Sequence, residues 1–129
     1  MKWQRVPEIP PSRQNVYAKA VIKWGGESQF NMLIEECAEL IFTVRHHDRS
    51  KCGLKRLVEE LVDVMIMIEQ VRVMYDSCPF DEGDIGSFED SELCKNATSF
   101  DSYMQAVLNE KMIRLEKLVN KRDIKDKRL

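Results

Sequence analysis

Apolar residues recur along this chain with a helical period, broken by short polar or glycine-containing stretches. Val16, Ala20 and Val21 predict a helix from Arg13 to Trp24, with Ser12 as its N-cap and Gly25-Gly26 as its stop. Phe30, Leu33, Ile34, Cys37, Leu40, Ile41 and Val44 follow the i, i+3, i+4, i+7 pattern and predict a second helix over residues 27–45. The polar run from His46 to Gly53 reads as a connector between antiparallel helices. A third helix is predicted over 54–75, and its stretch LVDVMIMI from Leu61 to Ile68 places seven apolar residues around Asp63. At about 100° per residue these positions surround the cylinder, and a helix apolar on all sides is expected to be a buried, central one. Three or four helices of one chain cannot cover it completely, so self-association is expected. Tyr103, Val107, Leu108, Met112, Leu115 and Leu118 predict a last helix over 99–121. Together the elements predict an all-α fold, a four-helix-type bundle with a buried central helix, assembled as a dimer or higher oligomer.

The flanks and the one long gap complete the outline. Residues 1–11, with Pro7, Pro10 and Pro11, read as an extended arm; 12–122 read as one all-α domain; 123–129 read as a charged tail. Inside the domain, residues 76–98 carry Pro79, Gly83 and Gly86 and read as an exposed loop insertion. That loop also holds the charge asymmetry: Asp76 to Glu92 contains seven acids and no base, in a chain of net charge −2. The remainder carries 20 bases against 15 acids, a surplus that suits a small anionic substrate. The near balance overall argues against non-specific nucleic-acid binding, which needs a large basic excess. No apolar run approaches the roughly 18 residues of a membrane span, and the first residues lack the apolar segment of a secretory signal. A cytoplasmic protein with no membrane partner is therefore expected. The four cysteines (Cys37, Cys52, Cys78 and Cys94) form no CxxC pair and read as reduced thiols, Cys37 as packing.

Four acids on the second and third helices carry the candidate chemistry. Glu36 and Glu39 are spaced i, i+3, as are Glu60 and Asp63, so each pair shares a helix face. Glu39 and Glu36 lie six and nine residues before Arg45; Glu60 and Asp63 lie six and nine residues after Leu54. In an antiparallel hairpin these positions meet at matching heights, about 9 and 13 Å from the turn. Four converging carboxylates in an apolar setting need compensation, and a divalent cation is the usual one. Oxygen donors without Cys or His select hard ions, Mg²⁺ first and Mn²⁺ as a substitute. Magnesium completes its shell with water and phosphate oxygens, which points to a polyphosphate substrate and activated water. Glu35 and Glu59 read as solvent-facing acids. A di-iron bundle would need Glu-x-x-His motifs; the two histidines, His46 and His47, fall in the connector, so that reading is discarded.

The pattern Glu35-Glu36-Cys37-Ala38-Glu39-Leu40, followed after 20 residues by Glu60-Leu61-Val62-Asp63, resembles the ExxE…ExxD signature of the MazG-like all-α nucleoside triphosphate pyrophosphohydrolases, relatives of the dimeric dUTPases. Trp24-Gly25 and Gln29 upstream, and Glu110-Lys111-x-x-Arg114-Leu115 downstream, fit the same resemblance, which covers roughly residues 16–75 and 105–118. The resemblance implies that Glu36, Glu39, Glu60 and Asp63 are both the Mg²⁺ ligands and the catalytic carboxylates. It implies hydrolysis of a nucleoside or deoxynucleoside triphosphate to the monophosphate and pyrophosphate, by water attacking the α-phosphorus. Lys111 and Arg114 would neutralise phosphates, Trp24 and Gln29 would belong to the base pocket, and the chain would be a homodimer or homotetramer. The alternative is a helical module that binds nucleotide or a protein partner without turnover.

Overall fold

The computed structural model describes residues 9–48, 53–76 and 99–121. The N-terminal arm as far as residue 8, the connector residues 49–52, the acidic stretch 77–98 and the tail beyond 121 lie outside the described residues, and Cys52, Cys78 and Cys94 with them. All regular structure among the described residues is helical: α1 (Pro11–Trp24), α2 (Gly26–Asp48), α3 (Leu54–Asp76) and α4 (Phe100–Val119). The chain divides into two compact units, Met1–Cys78 and Pro79–Leu129.

In the first unit, α1 starts two residues earlier than its sequence suggests. Pro11 occupies the first helical position, where its missing N–H costs nothing and its fixed φ is already helical. Ser12, the expected N-cap, therefore lies inside the helix, and the cap position is Pro10, which has no capping side chain. The Gln14 side chain donates instead to the Ile9 carbonyl at 2.8 Å, tying the entering strand of chain to the first turn. Gly25 ends α1 with φ 84° and ψ 156°, and its N–H bonds to the Val21 carbonyl. Its own carbonyl accepts from the Gln29 N–H at 3.2 Å, so a single residue joins α1 to α2.

Helix α2 runs three residues beyond its expected end, so His46 and His47 are helical rather than connector residues. Arg45, His46 and His47 fill its last turn, where basic groups oppose the negative end of the helix dipole. The Phe42 and His46 rings, one turn apart, meet with centroids 4.0 Å apart and add to that extension.

Helices α2 and α3 form the most extensive contact in this unit, with α1 laid against both. The core is small: Ile9, Tyr17, Ala20 and Met67 are its buried apolar side chains. Arg13 grips Glu69 of α3 with Nε at 3.1 Å and Nη2 at 3.0 Å, a bidentate pair, and the buried Tyr17 hydroxyl donates to the same carboxylate. These contacts fasten α1 to α3.

The expected burial of α3 on all sides is not what the chain achieves. Met67 and Gln70 are its only buried residues, while Leu61, Val62, Ile66 and Ile68 are exposed and Met65 is 58% exposed. The reason is geometric: α1 and α2 cover only part of the circumference of a helix whose apolar positions go all the way round. No helix among the described residues is long and apolar enough to cross a membrane.

The second unit contains α4. Ser99 caps it in a reciprocal box: the Ser102 N–H donates to Ser99 Oγ at 3.1 Å, and the Ser99 N–H donates to Ser102 Oγ at 3.0 Å. Asp101 in the first turn and Lys117 in the last complement the helix dipole.

The Gly25 backbone lies in a region of φ and ψ that is essentially reserved for glycine, and a Cβ there would meet nothing within 4 Å. Gly25→Ala therefore isolates backbone strain from clash. It should lower stability by about 1–3 kcal/mol, read as an earlier urea midpoint with an unchanged slope.

Candidate metal centre

The α2–α3 hairpin brings its acids together along one seam. Near the start of α2, Gly26 lets α3 approach closely, since a Cβ there would come within 3.1 Å of Met74 Sδ. Further along α2, and correspondingly further back along α3, the carboxylates of Glu36, Glu60 and Asp63 converge. One oxygen from each lies within 4.8 Å of the others. Glu39 stands beside this triad, close enough for its charge to act on both Glu36 and Glu60. All four acids singled out in the sequence thus belong to one cluster.

The electrostatics of the cluster are unfavourable as it stands. Glu36 and Glu60 are partly buried, and on each the Oε2 atom is enclosed and has no hydrogen-bond partner. Burial pushes the Glu36 carboxyl above the usual carboxylate range, and the charges of Glu39, Asp63 and Glu60 push it further. Burial likewise raises Glu60, with Glu39 and Asp63 adding to the effect and Arg56, one turn earlier on α3, pulling it back. Enclosed carboxylate oxygens without a donor are costly unless something positive completes them. The donor set is all oxygen, and three such atoms within 4.8 Å of one another could hold a cation. Donors of this kind suit a hard divalent ion of the Mg²⁺ or Mn²⁺ type.

Other residues singled out in the sequence are placed differently. Gln29 is buried at 3% exposure, two turns before Glu36 on the same helix. Trp24 is 58% exposed at the end of α1, with Lys23 Nζ 5.2 Å from its ring centroid. Lys111 and Arg114 are exposed on α4, in the second unit. Glu59 pairs with Lys55 one turn away at 3.8 Å, in keeping with a solvent-facing acid. Cys37 is a half-buried free thiol next to Glu36. Sequence reasoning passed over Arg56, a basic residue whose charge bears on Glu60, and Gln70, buried on α3.

No family model matches this chain, and neither a curated protein nor a solved structure is found to match it.

The carboxyls predict an acid response whose sign differs between the two ends of α3. Glu36 and Glu60 have folded-state values above the ordinary carboxylate range, so between ordinary and raised values the folded chain holds more protons than the unfolded one. Without divalent cations, stability should rise as pH falls from neutral through that interval. At Glu69 burial pushes upward, but the hydrogen bonds from Tyr17 and Arg13 and the charges of Arg13 and Arg72 outweigh it and hold the carboxyl below its ordinary range. Its stabilisation is present above the ordinary value and is lost as pH falls through the lowered one. Thermal melts in EDTA should show a Tm that first climbs and then drops on acidification. Glu69→Gln should reduce the drop and leave the climb, whereas a Tm that falls steadily from neutral pH would contradict the cluster's electrostatics.

Proposed function

We propose that this chain is a divalent-cation-dependent nucleoside triphosphate pyrophosphohydrolase, working in the cytosol on free nucleotides. The observation that carries the reading is the convergence of Glu36, Glu60 and Asp63, from two facing helices, within 4.8 Å. The ExxE…ExxD resemblance supports the choice of substrate and reaction.

Glu36, Glu60 and Asp63 would hold Mg²⁺, with Mn²⁺ as substitute. When bound, the ion offsets charge on the phosphate oxygens and makes water more acidic. Glu39, at the edge of the triad and exposed, is the carboxylate left to orient the attacking water and take its proton. The new bond forms between that water oxygen and the α-phosphorus; the α–β anhydride bond breaks, and pyrophosphate leaves with the bonding electrons. Glu36 and Glu60, enclosed and mutually repelling, keep their positions because α2 and α3 are packed, so little reorganisation is needed when the phosphates arrive. By the resemblance, Lys111 and Arg114 would neutralise phosphates, Arg114 with paired donors.

The working form in this reading is a homodimer or homotetramer. Ile34 and Ile41 on α2 are 66% and 64% exposed, and they repeat at heptad spacing on one face. Leu61, Met65 and Ile68 make a matching exposed face on α3. Apolar faces of this extent beside four buried apolar residues among those described call for a cover, and a second copy would supply one.

Two measurements test these statements. Pyrophosphate release from a panel of nucleoside triphosphates should require Mg²⁺. It should fall at least about a hundredfold in Glu39→Gln and Asp63→Asn while circular dichroism shows the helices intact. Asp63→Asn should also lose the rise in Tm that Mg²⁺ gives the wild type, a readout independent of turnover. Nucleotide binding without product would favour the non-catalytic module. Separately, sedimentation should give at least twice the 15.1 kDa chain mass, and Met65→Glu should lower it; a wild-type monomer would remove the oligomer from the reading.

A further inference from the structure

The α2–α3 seam runs on from the carboxylates toward the connector, and there its charge changes sign. Arg56 precedes Glu60 by four residues on α3, so the two share a helix face, and the charge of Arg56 acts on Glu60. Lys55, about 100° further round the helix, pairs instead with Glu59 at 3.8 Å. On α2, Thr43 lies seven residues after Glu36 and is 1% exposed, so the face that carries Glu36 stays covered to that level. With Glu36 against Asp63 and Gly26 against Met74, the same register puts Arg56 level with Thr43 and Val44. The last turn of α2, just beyond, holds Arg45, His46 and His47. The seam is thus acidic at one level and basic at the next.

The bases on α3 stand at the wrong end for helix stability. Lys55 and Arg56 fall in the first turn, where the helix dipole is positive and where α3 has no acid. Gly53, whose carbonyl accepts the Leu57 N–H at 3.4 Å, precedes the helix and has no side chain with which to cap it. Helix α4, by contrast, has a serine cap, an acid in its first turn and a base in its last. Bases at a helix start, beside N–H groups that the helix itself does not use, suit an anion. The carboxylate cluster one turn further along α3 narrows the kind of anion. One that a divalent cation and a guanidinium can share is a polyphosphate.

We infer that Arg56 is a substrate-binding residue that holds the β- and γ-phosphates of the nucleotide, and afterwards pyrophosphate, at the connector end of the seam. This rests on the reading of the carboxylate cluster as the cation site. Arg56 is one turn from Glu60, about 6 Å along the axis, a separation that neighbouring phosphates of one chain can span. It also belongs to the same compact unit as the cluster. As the α–β anhydride bond breaks, negative charge grows on the leaving β-phosphate, and a guanidinium placed there offsets it with paired donors. The substrate then has a direction: its phosphate chain points toward the connector, and its nucleoside toward Gly26 and Met74.

Calorimetric titration with inorganic pyrophosphate in Mg²⁺ tests this on the wild type, Arg56→Gln and Lys55→Gln. The two variants lose the same charge one residue apart, on different faces of α3. Arg56→Gln should weaken pyrophosphate binding by about tenfold, and Lys55→Gln by less than about twofold. Mg²⁺ should raise the Tm of both variants at least as much as that of the wild type, because neither residue holds the cation. An unchanged pyrophosphate affinity in Arg56→Gln would overturn the inference. Equal losses in the two variants would do so as well, since they would reduce the effect to net charge. A loss in Arg56→Gln accompanied by loss of the Mg²⁺-induced Tm rise would also overturn it, and would assign Arg56 to the shape of the cluster. A wild type that gains Tm from Mg²⁺ but does not bind pyrophosphate would overturn it while leaving the cation site in place. A wild type with no response to Mg²⁺ would remove that site, and this inference with it.

Discussion

The candidate site depends on one constraint, the register of α2 against α3. Glu36 and Asp63 meet because each lies at the same level of an antiparallel pair, and rotation of either helix by one residue turns its carboxylate through about 100°. Like charges oppose that arrangement, so other contacts must hold it. Close approach at Gly26 and Met74 sets the pair at one end. Met67, Tyr17 and Ala20 bury what apolar surface there is, and Arg13 and Tyr17 converge on Glu69 to fix α1 across the pair. Helix α1 is thus a brace: it contributes no carboxylate to the cluster, and it limits how α3 can slide or turn.

Glu69 and the cluster residues show how context decides what a carboxylate does. Glu69 is largely enclosed and has a guanidinium and a phenol as donors, which favours its charge in spite of burial. Glu36 and Glu60 have comparable shelter and acids for neighbours, which disfavours theirs. Helix α3 therefore carries a satisfied structural carboxylate at Glu69 and, two to three turns away, a carboxylate at Glu60 whose neighbouring charges are mainly acidic. That difference is what supports reading Glu36, Glu60 and Asp63 as the place for a positive group.

The helices and the cluster were legible in the sequence for different reasons. Helical periodicity is a property of many residues at once, so the four elements could be recognised even though their ends were displaced. Ser12 gave way to Pro11 as the start of α1, since a proline already in helical conformation needs no capping side chain. Helix α2 kept His46 and His47 because of a basic last turn and the Phe42 ring, which no periodic pattern records. The carboxylate cluster survived that misplaced end. Each helix offers two acids spaced i, i+3, which cover most of one turn, so a shift of a few residues still leaves acids opposite acids. Burial was harder to read: LVDVMIMI says that α3 can be covered on every side, but coverage is a property of neighbours. Gln70 was invisible for the opposite reason, since one glutamine in a helix has no pattern, and only its burial distinguishes it from the solvated ones.

The exposed apolar faces and the acid cluster are linked on the reading given above. Leu61, Met65 and Ile66 stand within one turn of Asp63 along α3, so a second copy that covers them also displaces water from around the carboxylates. A drier surrounding strengthens every charge interaction, both the repulsion among the acids and their attraction for a cation. Assembly without a cation would then oppose itself, and assembly with one would be reinforced. By the reciprocity of linkage, whatever tightens the oligomer tightens the hold on the cation to the same degree. On that reading the apolar excess of α3 and the aspartate set within it would have one explanation: the helix would bury its sides against a second copy and keep Asp63 where a cation makes that burial tolerable.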